Sequence, residues 1–154
     1  MFRELRRKDK KMDNDKIEEI LINSEYGTLA CLGDDGYPYA IPLNYYYEDN
    51  AVYFHSALKG HKIDAMLNDP KVSFSIVNGY KIMPEDLNTH FESVIVFGKA
   101  SIVKDKEKSK NLYNLGMKYS FDFEKIVNDA VEKEFEITAL VKIQIEHKEG
   151  KIAQ

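Results

Sequence analysis

The chain has no tryptophan, one cysteine and only four prolines. A lone cysteine, Cys31, cannot close an internal disulfide, so packing must hold the fold, which fits a reducing, cytoplasmic setting. Long apolar runs are also missing. No stretch approaches the roughly 20 residues that a bilayer-spanning helix needs. Charge begins at Arg3, so no secretory apolar segment is expected at the start. Nor is there a surplus of positive charge. The net charge of −4 argues against a fold built as a whole to attract nucleic acid.

What is present is ordinary for a globular chain: 44% hydrophobic and 31% charged residues. The 154 residues suffice for one domain with a real core. Charge is unevenly spread. Residues 1–12 hold Arg3, Arg6, Arg7, Lys8, Lys10 and Lys11 against Glu4 and Asp9, a surplus of +4 that leaves −8 on the rest. Residues 1–14 therefore read as a basic arm: a solvated tail, or a segment that meets phosphate, a partner subunit or RNA. Six of the ten tyrosines gather between residues 37 and 53. A flat ring with a polar tip suits strands that line a cleft or an interface.

The pattern predicts a helix from Asp13 or Asp15 to about Ser24, with Ile17, Ile20 and Leu21 inward. Strands follow at residues 26–32 and 37–47, with Gly33-Asp34-Asp35-Gly36 as the turn between them. Pro38 and Pro42 place the second strand at an edge, a bulge or a bend. Further strands are expected at 51–56, 71–77, 91–103 and 138–146. Residues 78–89 read as an irregular loop, and 148–154 as a polar tail after a domain spanning 15–147. Val94 and Val96 alternate with Ile95 and Phe97 in the fifth strand, so it should be buried on both faces, by the core on one and by the core or a second subunit on the other, and Gly98 should kink it. Helices are expected at 61–68, from Asp105 as cap to 119, and at 123–133. Six strands in antiparallel neighbours, rather than regular βαβ alternation, predict a mainly β, α+β fold: a small antiparallel β-barrel with appended helices.

Residues 54–62, Phe-His-Ser-Ala-Leu-Lys-Gly-His-Lys, carry the strongest local chemistry. A strand ends there and a helical pattern of Ile63, Met66 and Leu67 begins. The first turn of a helix presents unpartnered N–H groups and roughly half a positive charge. Ser56, Gly60, His61 and Lys62 add a hydroxyl, space and cationic donors, which suits a phosphate. An ordinary strand–helix connection with a solvated lysine is the alternative. His55 and His61 lack a third ligand at recognisable spacing, so no metal site is expected.

Five stretches carry a resemblance. They are Leu5-Arg6-Arg7-Lys8-Asp9-Lys10; Tyr26-Gly27-Thr28-Leu29-Ala30; Gly36-Tyr37-Pro38-Tyr39 running on to Ile41-Pro42-Leu43-Asn44-Tyr45; Phe54-His55-Ser56-Ala57 with Gly60-His61-Lys62; and Glu92-Ser93-Val94-Ile95-Val96-Phe97-Gly98. In this order they resemble the FMN-binding split barrels related to pyridoxamine 5′-phosphate oxidase, and among those the Nim-type nitroimidazole-resistance proteins. The resemblance implies a six-stranded split barrel and a homodimer with FMN shared between chains. Ser56, His61 and Lys62 match the phosphate-binding positions. Pro42, Leu43, Asn44 and Tyr45 match the strand along the flavin ring, where backbone amides would meet its polar edge. Ser93 and Val94 match the segment from the other chain, and Arg6 and Arg7 would fold over the partner's cofactor. His55 occupies the motif of a histidine linked to activity in Nim-type proteins, which makes it the candidate catalytic residue and a further cofactor contact; Tyr39 and Tyr45 are the other candidate acids.

The implied activity is flavin-dependent reduction of small molecules such as nitroaromatic compounds. The arginine-containing C-terminal motif that holds phosphorylated vitamin B6 in the true oxidase has no match here. FAD in place of FMN, or a non-catalytic flavin- or haem-binding module with His55 or His147 as axial ligand, is the alternative.

Overall fold

The computed structural model describes residues 1–154. In chain order the elements are α1 Asn14–Asn23, β1 Gly27–Leu32, β2 Pro38–Leu43, β3 Tyr46–Glu48, β4 Ala51–Ala57, α2 His61–Asn68, β5 Lys71–Met83, β6 Asn88–Val103, α3 Asp105–Tyr119, α4 Glu124–Glu134 and β7 Thr138–Ala153. The strands form one antiparallel sheet ordered β2-β1-β5-β6-β7-β4-β3. The fold is mainly β with appended helices, as expected, but it has seven strands where six were expected. The expected strand 37–47 is broken at Asn44 and Tyr45. Its halves, β2 and β3, become the two edges of the sheet. Those edges are joined by only two residues, so the sheet must curl round, yet no ladder closes the seam between them. Pro38 and Pro42 lie on the edge strand β2, where a missing N–H costs no ladder bond.

Two further expectations are corrected. Residues 78–89 are not an irregular loop but the distal half of the β5–β6 hairpin, with Tyr80 opposite Phe91 and Ile82 opposite Thr89. A register shift between Val77 and Tyr80, with Gly79 at φ +75°, breaks the alternation and hides it from a period-two reading. The hairpin turns at Pro84–Asp86, with Leu87 left-handed at φ 49°. Residues 148–153 are no tail either: β7 runs on to Ala153 and pairs with β6 throughout. Gly150 lies against Met12, where a Cβ would stand 2.7 Å from the sulfur. The expected kink at Gly98 is a register shift between Phe97 and Gly98. A Cβ there would meet the Gln144 carbonyl oxygen at 2.2 Å, so only glycine fits.

One core fills the curl. Leu29, Phe54, Phe74, Val94, Val96, Val141 and Ile143 meet Ile17, Ile20 and Leu21 of α1 and Ile63, Ala65 and Met66 of α2. Within one chain a single face of β6 is fully buried: Val94 and Val96 are enclosed, while Ile95 and Phe97 are half-buried. Asp13 caps α1 by accepting from the Lys16 N–H at 2.9 Å. Glu18 then pins α1 to the sheet, accepting from the Tyr47 hydroxyl and the Lys148 ammonium. Asp105 does not cap α3: Lys104 holds the N-cap position and no side chain bonds there. A second small cluster of Ala51, Tyr53, Val103 and Leu140, with Leu112, packs α3 on the opposite face of β4. The basic arm is tied down at both ends. Phe2 stacks on His147 at 4.9 Å, and Met12 is buried.

Candidate functional site

The end of β4 and the start of α2 form an open cradle. Gly60, at φ +150°, is the N-cap of α2 and provides no side-chain cap. The first helical bond runs from the Asp64 N–H to the Gly60 carbonyl at 3.0 Å. The amides of His61, Lys62 and Ile63 are thus the unpartnered donors of the first turn. A Cβ on Gly60 would meet nothing within 4 Å, so the space before this turn is open. Ser56 is buried at the end of β4, and Lys62 is half-buried on α2. Lys62 pairs with no carboxylate. Its charge is near Cys31: burial pushes that thiol up and Lys62 opposes the rise. A hydroxyl, free amides and an unpaired ammonium are the donor set a phosphate monoester fits.

His61 is drawn elsewhere. Its ring stacks on Tyr39 at 4.0 Å, and it groups with Asp34 and Asp35, their ligand atoms within 4.8 Å of one another. Two carboxylates beside it disfavour a phosphate on that side. The trio is exposed and drawn from two segments of the chain, and exposed acidic groups of this kind are common without a metal.

The residues expected along a flavin ring divide by burial. Pro42 and Asn44 are exposed, while Leu43 packs against the core. Tyr45 has no accessible surface. Its N–H donates to the Tyr119 hydroxyl at 3.0 Å, and its carbonyl faces the same hydroxyl at 2.8 Å and the Lys118 ammonium at 3.1 Å. The break in the strand does free backbone groups, but α3 takes those of Tyr45. Burial pushes the Lys118 ammonium down to about 8, with Glu25 opposing. The Val94 side chain is likewise enclosed. Ser93 is half-buried on β6. Strands β1 and β5 separate it from Pro42, which is about 14 Å at sheet spacing. One chain does not bring these two together.

Residues on β4 alternate, so Phe54 and Ser56 face the core while Tyr53 and His55 face the helices. His55 opens into a cavity of about 340 Å³ between β4, α3 and α4. Asn44 and Thr138 share its polar floor, Leu112, Leu115, Ile126 and Val127 wall it, and Tyr119, Ser120 and Glu134 complete it. Sequence reasoning missed the helical wall, because residues 104–135 followed no recognisable pattern. The signal available was Gly116: a Cβ there would stand 2.7 Å from Val127, so α3 and α4 cross closely at that point. His147 lies apart, its face under Phe2 and its Nε2 shut from solvent without a hydrogen-bond partner.

Comparison with known proteins follows the same lines. The family model described as pyridoxamine 5′-phosphate oxidase matches residues 13–152. A search of curated proteins finds no match. Among solved structures, a proposed 5-nitroimidazole antibiotic resistance protein from Bacteroides thetaiotaomicron is 22% identical with a TM-score of 0.76, over 93% of this chain and 86% of that one. A conserved hypothetical protein from Mycobacterium tuberculosis is also 22% identical, with a TM-score of 0.82 over 97% and 90%. The flavocytochrome Anf3 from Azotobacter vinelandii is 21% identical, with a TM-score of 0.75 over 98% and 72%. These likenesses share one fold, and with 140 of its 154 residues inside the family model, the chain belongs to the pyridoxamine 5′-phosphate oxidase family.

Proposed function

We propose that this protein is an FMN-dependent oxidoreductase that reduces small molecules such as nitroimidazoles, working as a homodimer with the cofactor shared between chains. The observation that carries the proposal is the cradle at the end of β4. There a buried serine, an uncapped first turn and a lysine without a carboxylate partner follow one another at the junction of β4 and α2, with open space beside Gly60. When bound, the flavin would supply hydride or electron transfer at its ring. The chain's own residues do the rest. Ser56, the α2 amides and Lys62 hold the terminal phosphate. Exposed Pro42 gives the ring an apolar rest, and Asn44 borders it. Ser93 of a second copy lies across the same site. His55, facing the cavity, hydrogen-bonds the molecule to be reduced. The names of the neighbours support a flavin in this fold: besides the nitroimidazole resistance protein, they include an FAD-binding protein from Mesorhizobium loti and a FAD and heme binding protein from Mycobacterium smegmatis.

The test begins with the visible spectrum of the purified protein and identification of what it releases on denaturation. A yellow protein that releases FMN, and turns over a nitroimidazole or a quinone with NAD(P)H without oxygen, is the expected result. A colourless protein indifferent to added flavin sinks the proposal, and flavin that no acceptor reoxidises leaves only a flavin-holding module. Lys62→Ala should weaken FMN binding by about 1.5–3 kcal/mol, the range for a hydrogen bond to a charged group, measured by flavin fluorescence titration.

A further inference from the structure

We propose that the cavity between β4, α3 and α4 is a substrate subsite that admits flat, single-ring molecules when they are neutral or cationic and rejects phosphorylated and carboxylated ones. The subsite role rests on the flavin reading above; the selectivity rests on the cavity alone. At about 340 Å³, it lies at the small end of ligand pockets, which run from about 300 to 1,000 Å³. One ring fits and a dinucleotide does not. Its titratable lining residues are His55, Tyr119 and Glu134; no lysine or arginine lines it. Lys118, the neighbouring cation, is committed to the seam, where its ammonium donates to the Ser24 carbonyl at 2.6 Å and the Tyr45 carbonyl at 3.1 Å. An anion in this groove would meet the Glu134 carboxylate and find no fixed cation, although exposed His55, Tyr119 and Glu134 leave its mouth open to water. A neutral ring meets apolar walls at Leu115 and Val127. Its polar substituents find Asn44, His55 and Thr138 at the floor.

The charge selection is testable with two probes of one shape, 4-nitrobenzamide and 4-nitrobenzoate. Binding is measured on the protein as purified, by calorimetry and by saturation-transfer NMR. The amide should bind at least tenfold more tightly than the carboxylate. Glu134→Gln should narrow that gap by improving the carboxylate. Ala130→Phe, from the α4 wall and at an exposed position, should fill the cavity and weaken the amide at least tenfold, with the visible spectrum and thermal melt unchanged. Equal affinity for the two probes overturns the selection, and amide binding indifferent to Ala130→Phe overturns the location. The expected pattern in a protein that binds no flavin upholds the cavity's selectivity and overturns the flavin reading alone.

Discussion

A single hydroxyl, on Tyr119, accepts from the Tyr45 N–H and shares its one proton between the carbonyls of Tyr45 and Glu25. Only the Tyr45 N–H depends on this hydroxyl alone: the sheet breaks at Asn44 and Tyr45, and a buried backbone N–H must find a partner, whereas the two carbonyls also accept from Lys118 and Asn44. Tyr119→Phe should therefore cost about 1–3 kcal/mol, the penalty for leaving such groups unmet, read as a lower urea midpoint. Lys118 beside it is held to about 8, below its ordinary 10.5, by burial. Between those values the unfolded chain binds more protons than the folded one. Stability should therefore rise as pH climbs from about 8 towards 10.5, and Lys118→Met should flatten that rise in denaturation curves taken across the window. The strand-to-helix junction that carries Ser56, Gly60 and Lys62 was legible in the sequence because it lies within one short stretch. Tyr119 was not. Its partner is 74 residues away, and nothing in a tyrosine at the end of a helix announces that it completes a broken strand.

Among the elements, the strands with clean alternation were readable, and the long ones were misjudged in extent. Gly79 interrupts the period in β5, and charged residues crowd the end of β7, so both looked irregular. Their actual partners are each other's neighbours in the sheet, which a local pattern cannot show. Gly98 was readable as a kink, and the ladder explains why. Gly98→Val should force the Gln144 carbonyl aside and destabilise the protein by about 3 kcal/mol, seen in thermal melts. The attachment of α1 carries a pH signature. Burial alone would raise the Glu18 carboxyl, but hydrogen bonds from Lys148 and Tyr47 outweigh it and hold the group below the usual carboxylate range. A depressed carboxyl stabilises the fold above its unfolded value and loses that contribution as pH falls through its folded one. Acid titration of unfolding should show this loss, and Glu18→Gln should remove it.

At the scale of the molecule, the sequence resemblance led to the right family, while the count of strands and the course of the last one needed the structure. A site shared between two copies predicts that Ser93→Trp weakens flavin retention and dimerisation together, checked by light scattering alongside the flavin spectrum; a mutant dimer with full flavin occupancy contradicts it. The sheet order has one more consequence. Strand β7 is last in sequence and sits between β6 and β4. During synthesis, everything up to α4 can emerge from the ribosome as two separate sheet fragments, β2-β1-β5-β6 and β4-β3, with facing edges bare. Only when the stretch Thr138–Ala153 leaves the exit tunnel can it be threaded between them. Until that stretch pairs on both sides, the edges of β6 and β4 stay bare, and that is the intermediate in which a chaperone would have most to shield.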